Sequence, residues 1–357
     1  MISVYDILDN IIQYELGKNQ AVAVYPLNEA GMLAKDILSD KYGKKAIIID
    51  NYLAQHTDDI MVMDIDQFEQ LYCADITIII CELDMELNRE IVEDLRKREL
   101  VSKTRNILDI RGYMIESPEK EEYFEQIKRL CKVQKAVEYG LIRIGSESDG
   151  GYVMLNDFGD DNTAYSFGIG NNIDWDENIA DYGIDVYCYD HTINQLPKEN
   201  TRLFFQKTGI CGEDDIENNL LSMETILNKN NHQKKNRLIL KMDVEGAEWE
   251  FINTISIDTL KQFSQMTFEL HGITNIANRE MIMRALEKLN KTHYIIWVHG
   301  NNGGGSETAG TVVMPRLLEI TYVNKEQYPC VEAPYDCPLD IDRPNMDEYP
   351  DIELKNW

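Results

Sequence analysis

The densest run of chemistry-bearing residues in this 357-residue chain is Lys241-Met242-Asp243-Val244-Glu245-Gly246-Ala247-Glu248-Trp249-Glu250. The apolar stretch Leu238–Leu240 leads into two carboxylates and a glycine, and a helical stretch follows. Asp243 and Glu245 therefore fall at a strand's carboxyl end, the edge at which open α/β sheets bind ligands. Ser166-Phe167-Gly168-Ile169-Gly170-Asn171-Asn172 forms a second such turn, whose two glycines let a ligand lie against bare backbone. Asp190 closes the next strand, at the spacing from which an acidic residue reaches a ribose hydroxyl. Asp174 and Asp176 follow where a phosphate-binding turn excludes negative charge. Together these residues suit a nucleoside without phosphates. Glu269, His271 and His299 lie at or just beyond later strand ends, so one cluster with Asp243 and Glu245 is geometrically reasonable.

The elements that must position these groups read as strands at Thr163–Phe167, Asp185–Tyr189, Thr201–Gln206, Leu238–Met242, Met266–Leu270, Tyr294–Val298 and Leu318–Val323. Helical stretches at Asp174–Tyr182, Asn219–Asn228, Trp249–Gln262 and Ile276–Leu289 lie between most of them. Only the Gly-rich stretch Gly300–Gly310 separates the last two strands, which implies an antiparallel pair, because a parallel return needs a crossover. Ahead of this region, Ala21–Tyr25, Ala46–Asp50 and Asp75–Ile80 are continuous β-branched or apolar runs alternating with helical stretches at Glu29–Leu38 and Met85–Lys97. That pattern predicts a small parallel sheet covered on both faces. Its first turn, Tyr25-Pro26-Leu27-Asn28-Glu29-Ala30-Gly31, holds a single glycine and a carboxylate, which argues against a pyrophosphate site and for a scaffolding or partner-binding role. Phe124, Ile127, Leu130, Val133 and Val137 recur at helical steps, so Pro118–Gly140 reads as a connecting helix.

The expected organisation is α/β throughout. A smaller parallel domain spans 1–115, a connecting helix 116–140, a seven-stranded Rossmann-like domain 141–330, and a partly ordered acidic, Pro-rich extension 331–357. The 63 acidic residues against 35 basic ones exclude binding to a phosphate backbone, which needs a Lys/Arg field. No apolar run reaches membrane-span length, and Met1–Gln20 lacks the pattern of a signal peptide. The seven cysteines form no CxxC pair, which favours a reduced, cytoplasmic chain over a disulfide or zinc framework.

Seven strands ending in a hairpin outline the methyltransferase core, and S-adenosylmethionine, with its cationic sulfonium, suits an acidic pocket better than a dinucleotide does. The run Asp243-Val244-Glu245-Gly246-Ala247-Glu248-Trp249 resembles the signature of the FkbM-type S-adenosylmethionine-dependent methyltransferases. Arg143-Ile144-Gly145 with Asp149-Gly150-Gly151-Tyr152-Val153 is similar to that family's entry segment, and Ser166–Gly170 to its cofactor loop. Glu269–Gly272, His299–Asn302 and Leu318–Tyr322 are similar to later blocks in one of its branches. The resemblance covers Leu141 onward and implies methyl transfer to oxygen on a sugar, sugar nucleotide, polysaccharide precursor or other small molecule. It implies a cofactor site made of Asp149, Gly150, Tyr152, Gly168, Gly170, Asn171, Asp190, His191, Gly209 and Asp243. A hydroxyl acceptor must also lose its proton or be bound to a metal. His271 or His299 is the expected base, with Asp243 orienting it or the acceptor and Glu245 in the same catalytic set. The alternative is Mg2+ or Mn2+ held by Asp243, Glu269 and His271.

Blander readings stand beside these. Glu245 could cap the following helix, and Glu248 and Glu250 read as a helix N-terminal charge and a solvated face. Trp249 reads as core, and Asn301–Gly305 as a flexible hairpin loop, although its place beside His299 favours a loop covering the acceptor. The tail Val331–Trp357, with eight acidic and two basic residues, reads as disordered apart from an edge-strand alternation at Asp351–Leu354. A catalytically silent module that recruits a biosynthetic partner or a second copy through the N-terminal domain is the competing function. The intact Asp190, Asp243, Glu245, His271 and His299 set speaks against it.

Overall fold

The computed structural model describes residues 4–16, 21–56, 61–71, 76–98, 106–110, 118–159, 161–309 and 312–357. The chain divides into two compact units. One is Met1–Glu121 with Thr308–Val312 and Glu348–Pro350, and the other is Glu122–Glu307 with Val313–Asp347 and Asp351–Trp357.

The first unit is built on a parallel sheet of β1 (Ala21–Tyr25), β2 (Ala46–Ile49), β3 (Val62–Met63), β4 (Ile76–Ile80) and β5 (Asn106–Asp109), in the order β3-β2-β1-β4-β5. Its strands are apolar on both faces because helices cover both sides. The helix Val4–Glu15 and the short β3 and β5 are additions to the expected pattern. At the carboxyl ends of β1 and β2 the chain ties itself together. Asp50 accepts from Leu27 N (3.1 Å), Tyr52 N (3.0 Å) and Leu53 N (2.8 Å), while Asn28 accepts from Gly31 N and donates to Cys81 O. A Cβ at Gly31 would lie 2.1 Å from Pro26 O, so this glycine serves close packing of helix on strand.

The helix from Pro118, most of which belongs to the second unit, ends at Leu130, short of Gly140. Phe124 and Ile127 are fully buried, but Val137, the last residue of the helical stripe, is 59% exposed. The segment after Leu130 turns extended instead, and β6 (Gln134–Ala136) pairs antiparallel with Cys330–Glu332. A hairpin of β7 (Leu141–Gly145) and β8 (Gly151–Leu155) precedes the main sheet. That sheet uses β9 (Thr163–Phe167), β10 (Val186–Tyr189) and β11 (Leu203–Gln206). A minor pair of β12 (Gly209–Ile210) and β13 (Leu220–Leu221) follows, and then the sheet continues with β14 (Leu238–Met242), β15 (Phe263–His271) and β16 (His293–Gly300). After the short β17 (Ser306–Ala309) and β18 (Val312–Pro315) comes β19 (Leu317–Asn324), which completes the order β11-β10-β9-β14-β15-β19-β16.

β19 runs antiparallel to both neighbours, as the missing crossover required, and the mixed sheet is Rossmann-like with its switch at β9 and β14. The expected helix Asn219–Asn228 starts later, at Met223, because Ser222 caps it and β13 takes the residues before. The stretch Trp249–Gln262 is two helices, Glu248–Thr254 and Ile257–Leu260, since Ser256 caps the second. The acidic tail is built into the fold. Ile352, Leu354 and Trp357 are almost completely buried, and Asp336–Cys337 pairs with Leu354–Lys355.

Candidate active site

β9 and β14 are neighbours, and their ends meet at a glycine. Gly168 has φ +75°, and a Cβ there would lie 1.6 Å from Asp243 O. The loop after it is held by Asp190 at the end of β10. One carboxylate oxygen accepts from Ile169 N and Gly170 N (both 2.9 Å), and the other from Thr192 N (2.7 Å) and Thr192 Oγ1 (2.6 Å). Burial alone would raise this carboxyl, but the bonds from Gly170, Thr192 and Ile169 outweigh it and hold it below the usual range. Asp190 is thus a clamp on the glycine loop, and a ribose hydroxyl would have to share a carboxylate whose four acceptor positions are in use. Asp190→Ala is expected to loosen the loop and weaken cofactor binding at least about ten-fold, as calorimetry would measure.

A cavity of about 640 Å³ opens at this edge. Of the residues expected around a cofactor, Asp149, Gly150, Gly168, Gly170, Asn171, Asp190, His191, Gly209 and Asp243 line it. A Cβ on Gly209 would lie 2.7 Å from His191 Nδ1, so that glycine leaves room for the imidazole. Tyr152 does not line it; it is 1% exposed in the fully buried β8 and belongs to the core. Lys241 is the one Lys or Arg among the described lining residues. Its Nζ donates to Gly168 O and stands 3.8 Å from Asp243. Asp149, Asp176, Asp190, Asp243 and Glu245 share the same wall. The volume suits a nucleoside, and the acidic wall suits a cationic ligand without phosphates.

Strand register assembles the neighbouring cluster. Glu269 on β15 lies opposite Glu319 on β19, which in turn lies opposite His299 on β16. His271 is two residues beyond Glu269 and therefore on the same face. Its Nε2 is 3.4 Å from Glu245 Oε2, 3.9 Å from Asp243 Oδ1 and 3.9 Å from Glu269 Oε2, while its Nδ1 is 2.5 Å from Glu248 Oε1. Burial pulls the imidazole down, but the Glu248 bond and the surrounding carboxylates raise it above its usual value. Burial and the charges of Asp243 and Glu319 hold the Glu269 carboxyl well above the carboxylate range. Glu248 is the first-turn helix charge expected, but it is fully buried. Glu245 does not cap that helix. Ala247 is the N-cap, and Glu245 stands in the left-handed region at φ +55° with its side chain 88% exposed. Such strain in a non-glycine residue is concentrated at functional sites.

His299 reaches the cluster but does not open into it. It is completely buried between Glu319 (Nδ1 to Oε2, 2.8 Å) and Asp351 (Nε2 to Oδ1, 3.0 Å). Carboxylates only accept, so both ring nitrogens donate and the ring is an imidazolium. The structure therefore turns a ring nitrogen of His271, and not of His299, toward Asp243 and Glu245 on the cavity wall. The bonds to Asp351 and Glu319 outweigh burial and push His299 up to about 10. A folded value above the unfolded one, about 6.5, stabilises in full below pH ~6.5 and is lost as the pH rises through about 10. The melting midpoint is expected to fall across that alkaline window, and His299→Gln to flatten the fall.

Two asparagines brace the carboxylates. Asn301 donates to Glu269 Oε1 (2.6 Å) and Asp149 Oδ1 (3.3 Å), and Asn345 to Glu319 Oε1 (2.6 Å) and Asp149 Oδ1 (3.1 Å). Asn302 exchanges hydrogen bonds with the Met346 backbone, both 2.9 Å, so the glycine-rich loop is pinned to the tail. The oxygens and nitrogens of Asp243, Glu269 and His271 lie within 4.8 Å of one another, as do those of Asp149, Glu269 and Glu319. Sequence reasoning missed Glu248, Glu319, Asn345 and Asp351 as parts of this site. The signal available for Glu319 was a lone carboxylate inside an apolar strand.

Residues 144–295 match the family model described as the methyltransferase FkbM domain, a segment that holds the glycine loop, Asp190, the Asp243–Trp249 run and His271. No curated protein matches the chain. A solved structure titled "Crystal Structure of the GsuK RCK domain" is 9% identical over 88% of this chain and 95% of that one, at a TM-score of 0.18, too low to carry an argument. No described helix is long and apolar enough to cross a membrane. With the family match lying on the strands and turns that build the cavity, residues 144–295 of the chain form a methyltransferase FkbM domain.

Proposed function

We propose that the chain methylates a hydroxyl oxygen of a small carbohydrate acceptor (a sugar, sugar nucleotide or polysaccharide precursor) using S-adenosylmethionine, with His271 as the base. The observation that carries this reading is the placement of His271 Nε2 beside Asp243 and Glu245, two residues that line the glycine-loop cavity. Bound S-adenosylmethionine would supply an electrophilic methyl group on a cationic sulfur. Gly168, Gly170 and the loop clamped by Asp190 would hold its nucleoside against bare backbone, and Asp149 and Asp243 would supply negative charge. A hydroxyl is a weak nucleophile until its proton leaves, and a positioned imidazole is the group best matched to take it near neutral pH. Asp243 and Glu245 orient the acceptor by accepting from its other hydroxyls. Incubation with methyl-labelled S-adenosylmethionine and a panel of neutral sugars and sugar nucleotides should yield a labelled O-methyl ether by mass spectrometry. Label on nitrogen or carbon alone would overturn the oxygen assignment.

The donor set Asp243, Glu269 and His271 supports a second reading, in which a divalent cation binds the acceptor oxygen and lowers its pKa. A chelator separates the two. Turnover that survives it supports the base, and turnover stopped by it and restored by magnesium or manganese supports the cation.

A further inference from the structure

The geometry assigns to Glu248 the task of positioning His271. It holds the Nδ1 hydrogen, so that Nε2 is the basic nitrogen turned toward Asp243 and Glu245. This assignment rests on the reading of His271 as the base.

A glutamate in a helix's first turn is ordinarily a solvated partner of the helix dipole. Glu248 departs from that in three ways. It is 0% exposed, its Oε1 lies 2.5 Å from His271 Nδ1, and its Oε2 is buried without a hydrogen-bond partner. Among the described residues its only ion-pair partner is His271. Burying a carboxylate is costly unless a donor answers it, and here the imidazole is the one that does. Because a carboxylate only accepts, Nδ1 must carry the hydrogen, and in the neutral ring this leaves the lone pair on Nε2.

The same helical turn also grips the histidine backbone. Trp249, the next residue, donates from Nε1 to His271 O at 2.7 Å. Ring and carbonyl are thus fixed by adjacent residues of one helix while Nε2 faces Asp243, Glu245 and Glu269. A carboxylate that sets the tautomer of a base and steadies its imidazolium follows the general logic of oriented histidine bases.

The test needs neither cofactor nor acceptor. The full chain is labelled with nitrogen-15 at its six histidines, and His271 is assigned by the signal lost in His271→Asn. Two-bond proton–nitrogen correlation spectra then show which ring nitrogen carries hydrogen in the neutral form. Wild type is expected to hold it on Nδ1, with slow solvent exchange. Glu248→Ala is expected to shift the ring toward the Nε2–H form that free histidine prefers, and Glu248→Asp to restore part of the Nδ1–H population. A wild-type ring protonated on Nε2 overturns the assignment even where the variants fail to fold, as does a Glu248→Ala spectrum unchanged from wild type. Failure of the base reading is distinguishable, because it would appear as full turnover in His271→Ala with the Nδ1–H signature intact in wild type.

Discussion

Replacing His271 by alanine is expected to slow methyl transfer by about 10²–10⁴-fold, the range a positioned general base contributes, while S-adenosylmethionine affinity stays unchanged. The split follows from where the ring sits. It is absent from the residues lining the glycine-loop cavity, whereas its Nε2 faces Asp243 and Glu245, which are on that wall. Loss of the ring therefore removes the proposed proton acceptor without removing a wall. The vacated space leaves Glu248 buried without its partner, so some loss of stability accompanies the change. Single-turnover label transfer on protein that still binds cofactor by calorimetry checks both halves. Equal loss of binding and rate would place His271 in the cofactor pocket instead.

Gly168→Ala is expected to abolish cofactor binding, weakening it by more than about 100-fold (~3 kcal/mol), and to lower the melting temperature. The methyl group would lie 1.6 Å from Asp243 O, so β9 and β14 would have to separate where Phe167 pairs with Met242. The left-handed backbone at φ +75° adds about 1–2 kcal/mol for any L-residue. Gly170 is the control. It has φ +54° but nothing within 4 Å of the place a methyl group would take, so Gly170→Ala should cost only the backbone term of about 1–2 kcal/mol. Calorimetric titration and thermal unfolding of both variants decide the matter, and similar behaviour of the two would contradict the steric account.

The legible parts of the site were those whose chemistry is local in sequence. Leu238–Met242 reads as a buried strand because every residue is apolar or carries a long apolar stem, and Gly168, Asp190 and Asp243 follow directly from strand ends. The antiparallel β19 was legible from the missing crossover. Residues whose roles depend on a distant partner were not. Glu248 looks like any first-turn glutamate until His271 is brought to it by a neighbouring strand. Glu319 is fixed by register with Glu269 and His299, which no spacing reveals. Asp351 and Asn345 sit in an acidic, Pro-rich tail whose composition suggests disorder, yet His299 and Glu319 hold them in place. The helix expected to reach Gly140 failed because Val133 and Val137 fall on a helical step by coincidence of spacing, while the chain there is extended.

The most direct test of the central claim is calorimetric titration of S-adenosylmethionine into the full chain, with and without magnesium. A single micromolar binding event, retained in His271→Ala and absent in Gly168→Ala, is the predicted result. No binding heat and no shift in melting temperature under either condition would contradict the assignment of the β9–β14 cavity as the cofactor site.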